Sequence, residues 1–156
     1  MPERHVLFID DEAYRTRLYR LNLERNNWVV HYCSTLDEAD EFLAAPPTDS
    51  VAALVIDMQI GTGAPVISPG ELSNAMGLAG LAYLKKRRPV FVGKKWPVAI
   101  LTQITRADLR DVLESDVQSD SYALGMYRKL GVGAQKFPQL LDDLCTKSPG
   151  EFVCVE

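Results

Sequence analysis

The chain has 156 residues, 47% of them hydrophobic and 24% charged, with a formal net charge of −4. One domain with a substantial core fits that length, and the composition excludes an intrinsically disordered chain. The mildly acidic balance offers no electrostatic footprint for nucleic acid or an anionic membrane, and no apolar run is long enough to span a bilayer.

The N-terminus lacks a signal-peptide pattern. Cys33, Cys145 and Cys154 are too widely spaced for a zinc pattern and too few for a disulfide framework. A cytoplasmic location is the expectation. Short apolar runs alternate with helix-like segments. Val6–Ile9 predicts a buried strand, after which Tyr14, Leu18 and Leu21 recur at helical spacing. Trp28–Tyr32 predicts a second strand. Thr35 and Glu38 form a capping-box pattern ahead of Leu36, Ala39, Phe42 and Leu43. Val51–Ile56 predicts a third strand.

The stretch Met58–Asn74 contains Gly61, Gly63, Pro65, Pro69 and Gly70, which predict a long loop. A helix is expected from about Ala75 to Arg88, a turn over Gly93–Trp96 and a fourth strand over Pro97–Leu101. Thr105 is placed to cap a helix carrying Leu109, Val112 and Leu113. Tyr122–Tyr127 predicts a fifth strand. Pro138 opens a last helix with Leu140, Leu141 and Leu144. The expected organisation is one domain over 1–146 and a short irregular tail over 147–156, with Val153–Val155 too brief to assign.

Continuous apolar strands alternating with amphipathic helices indicate a parallel sheet covered on both faces. In such sheets functional groups collect beyond the carboxyl ends of the strands, at the switch point of strand order. Asp10 and Asp11 follow the first strand, Asp57 the third, Thr102 the fourth, and Arg128–Lys129 the fifth. Singly, each has an ordinary structural explanation, such as a helix cap or a solvated surface charge. On one rim they make a coherent site. Clustered carboxylates repel unless a cation lies between them, and all-oxygen ligation suits Mg²⁺. A metal-held carboxylate can attack phosphorus, while an ammonium and a hydroxyl stabilise the phosphoryl oxygens. The acidic turn Asp10-Asp11-Glu12 excludes a dinucleotide fingerprint.

Four segments carry a family resemblance: His5-Val-Leu-Phe-Ile-Asp-Asp-Glu12, Leu54-Val-Ile-Asp-Met58, Val98-Ala-Ile-Leu-Thr102 and Tyr127-Arg-Lys129. In that order and spacing, across about residues 4 to 145, the sequence resembles the receiver domain of two-component response regulators. The resemblance implies a flavodoxin-like (βα)5 three-layer sandwich with a parallel five-stranded sheet, order 2-1-3-4-5. It implies transfer of a phosphoryl group to Asp57 from a histidine kinase or phosphotransfer protein. It further implies Mg²⁺ held by Asp11, Asp57 and the backbone carbonyl of Gln59, with Asp10 joining the metal site through water. Thr102 and Lys129 would contact the phosphoryl group.

The sequence departs from the receiver pattern in several places. The stretch after Asp57 is long, Gln103 follows Thr102 where a small residue is common, and Met126 stands where an aromatic switch residue is usual, with Tyr127 one step off. Leu130 replaces a proline. Gln59, Gln103, Met126 and Tyr127 are therefore candidate modulators. Lys136, followed by Phe137-Pro138, is an alternative to Lys129. The loop starting at the mouth of the site is a candidate lid or partner-recognition element.

The leading expectation is a stand-alone signalling phosphoacceptor, not an enzyme in its own right, acting through an unidentified downstream protein. A homodimer is left open, and neither nucleic acid nor membrane is an expected partner. One alternative is a receiver-like interaction module that works without phosphorylation. The other is a phosphohydrolase with an aspartyl nucleophile, disfavoured because Glu12 stands where that chemistry needs an aspartate.

Overall fold

Strands made of valine, isoleucine and leucine without alternation must be covered on both faces, and the fold follows from that demand. The structure, a computed structural model, describes residues 3–60, 66–104, 107–118, 122–129 and 132–155. In chain order the elements are β1 (Arg4–Ile9), α1 (Ala13–Arg25), β2 (Trp28–Cys33), α2 (Leu36–Ala44), β3 (Val51–Ile56), α3 (Pro69–Asn74) and α4 (Ala79–Lys86). They continue with α5 (Arg88–Lys94), β4 (Val98–Thr102), α6 (Ala107–Gln118), β5 (Leu124–Arg128), α7 (Phe137–Cys145) and β6 (Phe152–Val155). The strands form one parallel sheet in the order β2-β1-β3-β4-β5-β6.

Alternate residues of each strand feed two apolar layers. Leu7, Ile9, Leu54, Ile56, Val98 and Ile100 pack beneath helices α2, α4, α5 and α6, through Leu36, Leu81, Leu84, Phe91, Leu109 and Leu113. Val6, Phe8, Val55, Ala99 and Leu101 pack on the opposite face against Tyr19 and Leu23 of α1 and Leu141 and Leu144 of α7. The result is the expected three-layer α/β/α arrangement. Among the described residues no helix is long and apolar enough to cross a membrane.

The expected five-stranded sheet needs correction: the segment read as an irregular tail supplies a sixth strand. β6 pairs with β5 from Leu124↔Phe152 to Tyr127↔Val155. Phe152 and Cys154 lean on one apolar layer and Val155 on the other. Four residues are too few for a period to emerge from sequence alone, yet here they cover the edge of β5.

The apolar spacing in α1 correctly marks a helix, but its buried stripe is a different one. Thr16, Tyr19 and Leu23 turn inward, whereas Tyr14 is 89% and Leu18 64% exposed. Two further boundaries move. The helix expected over 75–88 divides at Arg87 into α4 and α5, because Pro89 presets the first turn of a new helix. Gly93, expected in a turn, lies inside α5. Only half of the expected capping box forms at α2. The Thr35 hydroxyl accepts the Glu38 amide, but the Glu38 carboxylate turns to Ser34. The cap assigned to Thr105 lies outside the described residues.

The stretch after β3 is also more ordered than its glycines and prolines suggest. Ser68 and Glu71 form a complete capping box that starts α3. Val66, Ile67 and Leu72 pack on the core. The Lys86 ammonium at the C-terminal end of α4 donates to the Val66 carbonyl (2.7 Å) and pairs with Glu71 (3.2 Å). Residues 66–71 are thus anchored at the end of α4 remote from its first turn.

Because β6 completes the sheet, a chain ending at residue 146 should lose on the order of 2–3 kcal/mol of stability through the lost strand pairing and half-buried side chains. Urea unfolding of the two chains, compared at equal concentration, checks this.

Candidate functional site

β1 and β3 are neighbours, so their carboxyl ends deliver their next residues to the same place. The Asp10 amide donates to the Cys33 carbonyl (3.1 Å) and the Asp57 amide to the Ile9 carbonyl (3.1 Å), extending the ladders by one rung. Asp10 is 1% and Asp57 5% exposed, while Asp11 lies at the surface. Carboxylate oxygens of Asp10, Asp11 and Asp57 fall within 4.8 Å of one another.

Lys129, from the turn after β5, reaches between the two buried acids. Its ammonium donates to Asp10 Oδ2 (2.8 Å) and to Asp57 Oδ2 (3.1 Å). The remaining oxygens take backbone amides: Asp10 Oδ1 accepts from Glu12 (2.8 Å) and Asp57 Oδ1 from Gln59 (3.3 Å). Burial pushes the Asp10 carboxyl up to about 6, even though Lys129 pulls it down. Burial alone would favour the neutral amine of Lys129, but the charges of Asp57 and Asp10 outweigh it and hold the ammonium above its ordinary range.

The oxygen-only donor set, the mutual approach of the three carboxylates and the solvent-facing position of Asp11 fit a hard divalent cation such as Mg²⁺. Asp10, Asp11 and Asp57 would hold it, and it would supply positive charge beside any oxyanion bound at Asp57.

Thr102 ends β4 between the two strand ends that carry Asp57 and Lys129. It is fully buried, its hydroxyl accepts the Ile104 amide (3.3 Å), and its carbonyl accepts the Lys129 amide (3.0 Å). Gln103 is exposed. With Tyr14, Arg15, Leu18 and Lys129 it lines an open groove of about 670 Å³ beside the acids. Gln59 is exposed, two residues after Asp57. Lys136 is exposed at the start of α7, so of the two candidate lysines it is Lys129 that meets the acids. Met126 points into one apolar layer. Tyr127 points into the other and packs edge-on against Phe137 at 5.8 Å. An added Cβ on Gly125 would lie 2.4 Å from the Tyr127 hydroxyl, so glycine makes room for that ring.

Two further residues shape the site without being apparent from the strand-end argument. Gly80, in the first turn of α4, donates its amide to the Met58 carbonyl (2.8 Å). A Cβ there would sit 1.9 Å from the Asp57 carbonyl oxygen. The left-handed pair Met76 (φ 61°) and Gly77 (φ 73°) turns the chain into this close approach. A lone glycine inside a helical pattern was the available signal for Gly80. Tyr32 in β2 donates its hydroxyl to the Asp10 carbonyl, and its sequence context carries no such signal.

No model of a known protein family matches the sequence, and no curated protein matches it. Solved structures do match the fold. A response regulator receiver domain from Clostridium thermocellum has a TM-score of 0.61 at 20% identity, covering 91% of this chain and 94% of that one. A Francisella response regulator receiver domain gives 0.63 at 17% identity over 92% and 97%. A response regulator from Thermotoga maritima gives 0.63 at 13% identity over 94% and 100%. The chain therefore has the receiver-domain fold, as the sequence motifs imply.

Two outcomes test the geometry. Gly80→Ala should cost on the order of 2 kcal/mol or more, because backbone at Asp57 must shift, whereas Gly93→Ala, with open space around it, should be neutral or mildly stabilising. Chemical denaturation of both variants decides. The second concerns pH. Asp10 holds its proton in the fold up to about 6 but only to 3.8 in the free side chain. Its contribution to metal-free stability is therefore most favourable below the lower value and is lost as pH rises through that window. The gap corresponds to about 3 kcal/mol. The stability of wild type minus that of Asp10→Asn, measured by urea unfolding with chelator present, should fall by that order between about pH 4 and about pH 6.5.

Proposed function

We propose that this chain is a phosphoacceptor switch of two-component signalling, with Asp57 as the residue phosphorylated. The observation that carries this reading is the Lys129 ammonium bridging two buried carboxylates beside a third, at the switch point of a receiver-type sheet. The donor is a phosphohistidine on a histidine kinase or phosphotransfer protein. The output passes through a partner protein.

The Asp57 carboxylate attacks the donor phosphorus. A P–O bond forms as the P–N bond breaks, and the departing imidazole takes up a proton. Both products of that exchange are defined: an acyl phosphate on Asp57 and a neutral histidine. Asp57 is held for attack by its strand-end backbone and by the Gln59 amide. Lys129 exchanges its contact with Asp57 for a phosphoryl oxygen, retaining Asp10 as its counter-charge. The buried Thr102 hydroxyl is held by the Ile104 amide beside the strand ends, where it can turn to a phosphoryl oxygen. Asp10, Asp11 and Asp57 would hold Mg²⁺, which would supply positive charge beside the phosphoryl oxygens. Gln59 and Gln103, both exposed, would modulate access and hydrolysis. The described insertion, residues 66–74, is tied to the remote end of α4. That favours a fixed surface feature over a lid.

Incubation with a small acyl phosphate donor and Mg²⁺ tests the reading. Intact mass should show one added phosphoryl group in wild type and none in Asp57→Asn. Lys129→Ala should still accept phosphate, at a rate reduced at least several-fold. An equal yield of adduct in Asp57→Asn would refute the assignment.

A further inference from the structure

Lysine has a long, freely rotating stem, so holding its ammonium between two carboxylates costs conformational entropy, and a fixed backbone lowers that cost. The backbone of Lys129 is held on both sides. Its amide donates to the Thr102 carbonyl (3.0 Å). Its own carbonyl accepts the phenolic hydroxyl of Tyr19 (2.8 Å), which also lies 2.7 Å from the Val132 carbonyl. The hydroxyl thus sits between the Lys129 and Val132 carbonyl oxygens. The Tyr19 ring is 8% exposed and packs edge-on against Phe137 at 5.8 Å, which fixes where the hydroxyl points. Burial also raises the phenol above its ordinary range, so it remains a donor.

Tyr19 stands in α1, the helix that begins in the acid-bearing turn. The Glu12 amide donates to Asp10 Oδ1 (2.8 Å), and the Thr16 hydroxyl donates to the Glu12 carbonyl (3.0 Å). One rigid helix therefore joins the turn that carries Asp10 and Asp11 to the turn that carries Lys129.

We propose that Tyr19 is a positioning residue for Lys129, its hydroxyl gripping the Lys129 carbonyl so that the ammonium stays in register with Asp10 and Asp57. The kinetic consequence rests on Asp57 being the phosphoacceptor; the geometric one does not.

Tyr19→Phe keeps the ring and removes the grip. The first measurement is acylation of lysine amines by a small reagent, read peptide by peptide in mass spectra. Lys129 should be modified several-fold faster in Tyr19→Phe, with Lys85 unchanged. Val30→Ala, which loosens the same apolar layer away from the hydroxyl, should leave Lys129 labelling as in wild type. The second measurement is the phosphorylation rate from a small acyl phosphate at saturating Mg²⁺. It should fall several-fold in Tyr19→Phe with the Mg²⁺ midpoint unchanged, and Tyr19→Phe should add no further loss in a Lys129→Ala background. Unchanged Lys129 labelling, or a full additional loss in the Lys129→Ala background, overturns the proposal. A wild-type protein that accepts no phosphate overturns the phosphoacceptor reading instead, and the labelling comparison still decides the role of Tyr19.

Discussion

The contact on which this site depends is the Lys129 ammonium lying between Asp10 and Asp57. Adjacent parallel strands force the two carboxylates together, and burial makes their repulsion costly. The compensating charge comes from β5, beyond β4. β4 ends in Thr102, whose carbonyl fixes the Lys129 amide. Asp10 still has its carboxyl pushed up to about 6, and Asp11 adds a third negative group at the surface.

The layers around the sheet hold this arrangement at the level of the backbone. α4 presses Gly80 onto the Asp57–Met58 peptide, where any side chain would collide. Tyr32 from β2 secures the Asp10 carbonyl. At the far end of α4, Arg87 and Tyr83 both donate to Asp40 of α2, and the Arg87 guanidinium holds that carboxyl below its ordinary range. α4 is thus fixed at both ends, by a glycine contact and by an ion pair. The insertion docks on the ion-pair side through Lys86.

Much of this was legible from residue types. Unbroken runs such as Val51–Ile56 specify parallel strands, and the acids directly after them mark the functional rim. Lys129 was preferable to Lys136 because a credible strand precedes it, and its ammonium does meet the acids. Features that depend on tertiary competition were not legible. Tyr14, Leu18 and Leu21 have helical spacing, but Tyr19 and Leu23 win the buried face because Phe137 and the sheet receive them. α3 forms despite Pro69 and Gly70 because Ser68 and Glu71 close a capping box and Leu72 finds the core. β6 is four residues long and is stabilised by an edge that only the folded sheet presents.

Binding of a beryllium fluoride phosphoryl mimic, followed by ¹⁹F NMR, tests the central claim most directly, because it needs the acidic site and not a particular donor. With Mg²⁺ present, wild type should show bound fluoride resonances distinct from the free species. These should vanish on chelation and in Asp57→Asn. Bound resonances that persist without Mg²⁺ or without Asp57, or a wild-type spectrum containing free species only at millimolar Mg²⁺, would contradict the account.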